Sequence, residues 1–160
     1  MKRECEIEMM KTELSNKTIT DVLNGVCISV KNIVPLNLQI SKPSLLGQSL
    51  QIQNGVLIGM IGDVSGRILF SADRTVFSSI GEKMFGMAIE GEMLSSFSGE
   101  LGNMIAAGLS SHIAGQGISS DITSPTIMEG NAKLSGFEKA FFINVMCENA
   151  GELTIYIMLD

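Results

Sequence analysis

Glu100 and Asn103 are the residues of this chain whose types and spacing best suit chemistry. They stand at i and i+3 of a helix-forming stretch, so their side chains rise next to each other on one face. The pair combines an acid that accepts hydrogen bonds with an amide that both donates and accepts them. Asn is a poor residue for a helix interior, because its side chain competes with the backbone, so its presence asks for a reason. The surroundings sharpen the point. Ser96, Gly99, Ala107 and Ser110 are all small, where an ordinary solvated face would carry Lys, Glu, Arg and Gln. Such a low surface lets another protein come close, so that two polar tips can enter its cleft. The spacing by itself is a common pattern, and the small setting is what singles it out.

The element that must hold this pair is a helix over about 92–114, stopped by Gly115-Gln116-Gly117. At 100° per residue, Leu94, Phe97, Leu101, Ile105 and Gly108 share one side, extended by Leu109 and Ile113. Ser96, Glu100, Asn103, Ala107, Ser110 and Ser111 fall opposite. A first helix is predicted from the steps Ile19, Val22, Leu23, Val26, Cys27, Val30, Val34, with Ser15 and Asn16 as caps and Pro35 as the stop. A short strand over Leu36–Ile40 follows. Leu50–Ile61 and Gly66–Ser71, separated by a tight turn at Asp63, predict an antiparallel hairpin. A helix over about 74–85, capped by Ser71 or Asp73, ends at Gly86. Strands are predicted over Ile118–Thr123, Thr126–Met128, Phe141–Met146 and Leu153–Leu159, with turns at Gly130, Gly136 and Asn149-Ala150-Gly151. The fold class is therefore α+β: a mostly antiparallel sheet with two long helices and a shorter helix packed on it. Residues 15–160 read as a single domain. Residues 1–14 read as a leader, frayed or forming a helical extension.

Composition narrows the function further. The 160 residues are 45% hydrophobic and 18% charged, enough for one core. The net charge of −6 argues against nucleic acid, whose binding rests on neutralising phosphates with Lys and Arg. The start, Met1-Lys2-Arg3-Glu4-Cys5-Glu6, does not lead into an apolar run, so no signal peptide is expected. Clean apolar stretches such as Gly55–Gly62 reach about eight residues, too few to span a bilayer. Cys5, Cys27 and Cys147 are odd in number and far apart, as suits thiols in a reducing cytoplasm. His112 is the sole histidine, which argues against a metal site of the chain's own, and no phosphate-binding glycine loop is present.

Other residues read as structural. His112 lies towards the apolar side of the long helix and is expected to be packed and hydrogen-bonded. Met84, Met87, Met93 and Met104 are expected mainly to fill core, with adaptable partner contact as the second use. Asp63 sits in a turn that favours it for local hydrogen bonds.

The stretch Gly99-Glu100-Leu101-Gly102-Asn103-Met104-Ile105-Ala106-Ala107-Gly108 resembles the signature helix of the CheC/CheX/FliY family of chemotaxis phosphatases, and within it CheX most of all. Gly55–Phe70 resembles the family's hairpin, and Ile118–Thr126 resembles the stretch after its long helix. The resemblance implies an α+β fold and a cytoplasmic role: removing the phosphoryl group from the phospho-aspartate of a CheY-type response regulator. It implies that Glu100 and Asn103 enter the regulator's active site and that the chain is a homodimer. An acyl phosphate is already activated, so catalysis is mostly positioning and electrostatics. Asn103 then holds the attacking water in line, and Glu100 pairs with a basic residue of the partner. The Mg²⁺ belongs to the regulator, with no cofactor on this chain. The alternative is a non-catalytic regulator-binding or flagellar-switch-like module. Some relatives carry two active motifs. Asp21 and Asn24 repeat the spacing on the first helix, with an acid one methylene shorter, as a degenerate second site.

Overall fold

The structure is a computed structural model; it describes the backbone of residues 2–160 and the side chains of residues 16–160. The order is α1 (Lys2–Ile33), β1 (Leu38–Ile40), β2 (Ser44–Leu45), β3 (Leu50–Gly62), β4 (Gly66–Ser71), α2 (Arg74–Phe85), α3 (Glu92–Ala114), β5 (Ser120–Ile122), β6 (Thr126–Leu134), β7 (Lys139–Cys147) and β8 (Gly151–Leu159). The strands form one antiparallel sheet in the order β1-β7-β8-β4-β3-β5, with β2 also pairing β7 and β6 also pairing β3. The α+β reading holds, with two long helices and a short one.

α1 stops at Ile33, two residues before Pro35, since proline disfavours helix in the residue before it. It begins at Lys2, so Ser15 and Asn16 are interior and not caps. Asn16 instead offers its carbonyl to the Thr20 hydroxyl at 3.0 Å. The leader reading of residues 1–14 falls on side chains outside the described residues.

The β3–β4 hairpin pairs Met60 with Gly66 and Gly55 with Ser71, as its alternation requires. Asp63 holds its turn against the chain beyond α3 by accepting a hydrogen bond from the Ser119 amide at 2.8 Å. β4 carries three consecutive buried residues, Ile68, Leu69 and Phe70. A central strand covered on both faces reads this way. Ile68 and Phe70 join the helices' core, and Leu69 packs with Leu50, Ile52, Phe137, Ala140 and Met158 on the outer face.

Two strands differ from expectation. β6 runs on to Leu134, because Gly130, at φ 89°, is not a turn between strands. The register against β3 shifts there, Ile52 pairing with Ala132 and Asn54 with Glu129, which marks a bulge. β2 is a two-residue pairing with no sequence pattern of its own.

Candidate functional site

α3 lies on the sheet because small residues line its underside. A Cβ at Gly102 would stand 3.0 Å from Val56 Cγ1 and 3.2 Å from Phe70 Cδ2, so the helix axis sits closer to β3 and β4 than a larger residue permits. α1 packs antiparallel to α3: Gly25 faces Leu109 and His112, while Ser29 faces Gly108 and donates to the Ile105 carbonyl at 2.7 Å. α2 closes the other flank. Gly81 lets Phe97 and Ile89 approach, and Phe85 meets Phe97 edge to face with ring centroids 5.7 Å apart. Three sides of α3 are thereby covered, and one face is left open.

That open face carries the predicted pair. Glu100, Ser96 and Ala107 are exposed, and Asn103 is half-buried. Among the described residues, neither Glu100 nor Asn103 is held by a hydrogen bond or ion pair. A carboxylate and an amide without internal partners keep their hydrogen-bonding capacity for whatever docks on them.

The small residues beside the pair have separate reasons. Gly99 is buried, not exposed as expected: a Cβ there would meet Ile127 Cδ1 at 3.0 Å and Pro125 Cγ at 3.6 Å. The chain entering β6 crosses at that point, and glycine admits it. Ser110 is half-buried and donates to the Ser120 carbonyl at 2.6 Å. Ser96 and Ala107 therefore keep the face low, while Gly99 and Ser110 anchor its border.

On the opposite border, Glu100 opens onto an apolar groove lined by Phe85, Met87, Ile89, Met93 and Phe97. Phe85, Met87 and Met93 are 58–61% exposed. Core filling, the expectation for the methionines, therefore fails at Met87 and Met93 and suits the partly buried Met84 and Met104. The cause is the connection between the helices. Gly86, at φ 71°, ends α2, and Gly91, at φ 62° and ψ −133°, starts α3. The short span between them turns Ile89 inward and leaves Met87 outside. Two glycines bracketing a Met–Ala–Ile–Glu segment were the visible signal, without its direction.

Asp21 is half-buried and Asn24 exposed on α1. The structure does not bring them to the first pair. Gly25 packs on His112, which is nine residues, about 13 Å along α3, beyond Asn103. His112 is half-buried against α1, which meets the expected packing, but among the described residues its ring has no hydrogen-bond partner. Burial pushes the Cys27 thiol above its ordinary pKa, with Lys31 opposing, and does the same to Cys147. A metal cluster of three His, Cys, Asp or Glu side chains does not occur among the described residues. No helix of the described residues is long and apolar enough to cross a membrane.

Residues 54–142 match the family model described as chemotaxis phosphatase CheX, a span that runs from β3 through α3 into β7. The chain is 26% identical over 127 residues to the CheY-P phosphatase CheX of Thermotoga maritima, covering 76% of this chain and 81% of that protein. Its fold is similar to the CheX of Vibrio vulnificus, with a TM-score of 0.75, 21% identity, and coverage of 90% of this chain and 99% of that one. It is also similar to a CheX–CheY–BeF3–Mg complex from Borrelia burgdorferi, with a TM-score of 0.73, 21% identity, and coverage of 88% and 96%.

Proposed function

This chain belongs to the chemotaxis phosphatase CheX family, and from that premise we propose that Glu100 and Asn103 enter the active site of a CheY-type response regulator and drive hydrolysis of its phospho-aspartate. The observation that carries the reading is the open face of α3, where an acid and an amide without internal partners stand between two borders.

In this reading the water oxygen attacks phosphorus as the bond to the aspartyl oxygen breaks. The regulator regains a carboxylate, and the phosphoryl group leaves as dihydrogen phosphate, which keeps both protons of the water. Such a loose, in-line transition state needs placement more than covalent help. Asn103 accepts a hydrogen bond from the water with its Oδ1 and donates one from its Nδ2 to a phosphoryl oxygen, which fixes the line of attack. Its half-burial limits its rotamers. Glu100, exposed and longer, pairs with a cation of the regulator and sets the approach. Mg²⁺ is assigned to the regulator: one carboxylate beside Ser96, Asn103 and Ala107 is a poor hard-cation site.

Asp21 and Asn24 repeat the spacing, but a half-buried, shorter acid reaches less far, so the reading assigns them a degenerate role. It extends to a cytoplasmic homodimer, with the outer edge of β6 as the surface a second sheet edge would meet; light scattering tests that part.

Phosphate release from a phosphorylated regulator tests the whole. Asn103→Ala is expected to lower turnover about 100-fold, the scale of losing one preorganised hydrogen-bonding group, with regulator binding retained. Glu100→Ala damages both. The double change Asp21→Ala/Asn24→Ala keeps turnover. Full activity in Asn103→Ala would sink the proposal, and a wild-type protein that binds without releasing phosphate would make it a binding module.

A further inference from the structure

The groove between α3 and the segment joining it to α2 has a second use on the reading just given. Phe85, Met87 and Met93 expose most of their surface there, and buried Ile89 and Phe97 floor it. Three large apolar side chains on one continuous patch mark an interaction site, whereas scattered ones need no explanation. Two of the three are methionines, which adapt to a partner's contour.

The geometry points to the phosphorylated regulator itself as the occupant: the groove receives an apolar flank beside its phospho-aspartate and determines binding, while Asn103 determines turnover. Three observations carry this. First, Ser96 and Glu100 line the groove and also belong to the active face, so the two surfaces share side chains. Second, Met93 is seven residues before Glu100, about 10 Å along the helix. A stable interface of about 800 Å² on each side extends about 16 Å from its centre. A globular partner centred on Glu100 and Asn103 therefore covers Met93 and the groove behind it. Third, among the described residues the lining carries two carboxylates, Glu92 and Glu100, and no cation. The seat fits an apolar surface rimmed by Lys or Arg. This selects a regulator whose apolar patch and basic rim both adjoin the phosphorylation site.

The test is the double variant Met87→Gln/Met93→Gln on the full chain, both residues being exposed and Gln a good helix former at 93. Titration against the regulator loaded with beryllofluoride and Mg²⁺ gives Kd; phosphate release from the phosphorylated regulator gives KM and kcat. Kd and KM are expected to rise together about 25- to 100-fold, the product of fivefold to tenfold for each contact made polar, with kcat within twofold of wild type. Met93→Leu, which keeps the apolar volume, should stay near wild type. Kd and KM within twofold of wild type would overturn the inference, as would a loss confined to kcat. So would a change in the oligomeric state of the free protein, since a second copy would then be the occupant. If Asn103→Ala is inactive while the groove variant binds normally, the groove assignment alone fails. If Asn103→Ala is fully active, the catalytic reading fails, and Kd still reports on the groove.

Discussion

The seam between α1 and α3 holds the active helix in place, and it is narrow enough to test with one methyl group. A Cβ added at Gly108 would overlap the Ser29 Oγ and stand 3.1 Å from the Ser29 Cβ. Ser29 is 3% exposed, and its hydroxyl is committed to the Ile105 carbonyl at 2.7 Å. Gly108→Ala gains about 1 kcal/mol of helix propensity. Against this, the hydrogen bond worth about 1 kcal/mol is lost and a buried hydroxyl is left unpaired at about 1–3 kcal/mol. Tight packing adds about 1–3 kcal/mol. The net expectation is a destabilisation of about 2–6 kcal/mol, or a fall in Tm of about 4–24 °C for a chain of this size. Ser29→Ala alone should cost about 1 kcal/mol. In the double variant the obstructing oxygen is gone, so most of the Gly108→Ala loss returns, with a coupling of about 2 kcal/mol. Urea unfolding followed by far-ultraviolet circular dichroism measures all four proteins, since the chain has no Trp to report by fluorescence. Protein concentration is held fixed, because self-association would shift the midpoint. If Gly108→Ala is as stable as wild type, or Ser29→Ala gives it no rescue, the steric account of the seam is wrong.

Two further expectations concern the glycines at the groove and the thiols. Gly91→Ala should cost about 1–3 kcal/mol, because φ 62° with ψ −133° is a region nearly closed to side chains. Gly86→Ala, at φ 71° and ψ 15°, should cost about 1 kcal/mol. Neither added Cβ would meet an atom within 4 Å, so both losses are backbone terms, and the reverse order in urea unfolding would refute the assignment. In a Cys5→Ser background, Cys27 and Cys147 should react slowly with a thiol–disulfide exchange reagent at pH 7, because burial raises both pKa values. An unfolded thiol ionises first as the pH passes about 9, so stability should fall through and above that pH. Rapid modification of both thiols at neutral pH, or stability that rises into alkali, would contradict the burial.

Much of this fold is written in local pattern. Val22, Val26 and Val30 fall on one stripe of α1 and are buried in the order their spacing implies. The β3–β4 hairpin could be placed from Asp63 and the alternation around it, because a tight turn sets register by itself. Other features depend on what arrives from far along the chain. Ser15 looks like a cap, but helix formers before it carry α1 through. Gly130 looks like a turn, and the continuing pairing of Gln51 with Lys133 makes it a bulge within one long strand. No local signal separates those cases, since glycine at positive φ serves both.

The same distinction applies to the candidate site. A helical wheel gives the angle of each residue and nothing about what stands over it. It put Glu100 and Asn103 on the open side of α3, where the structure also has them. It could not tell that Gly99 lies beneath Pro125 and Ile127, because those residues arrive from beyond β5. Nor could it tell that Met87 faces outward, because that depends on two unusual glycine conformations. The unseen parts change what the pair is. The amide is half-buried and the acid stands free beside an apolar groove, so the two side chains differ in burial as well as in charge. A water-orienting group gains from being held, since each rotamer it cannot adopt is an orientation the transition state need not exclude. A group that finds a partner's cation gains from reach. The division of labour proposed for Asn103 and Glu100 thus rests on how deeply each one sits on the open face of α3, which the elements packed around that helix decide.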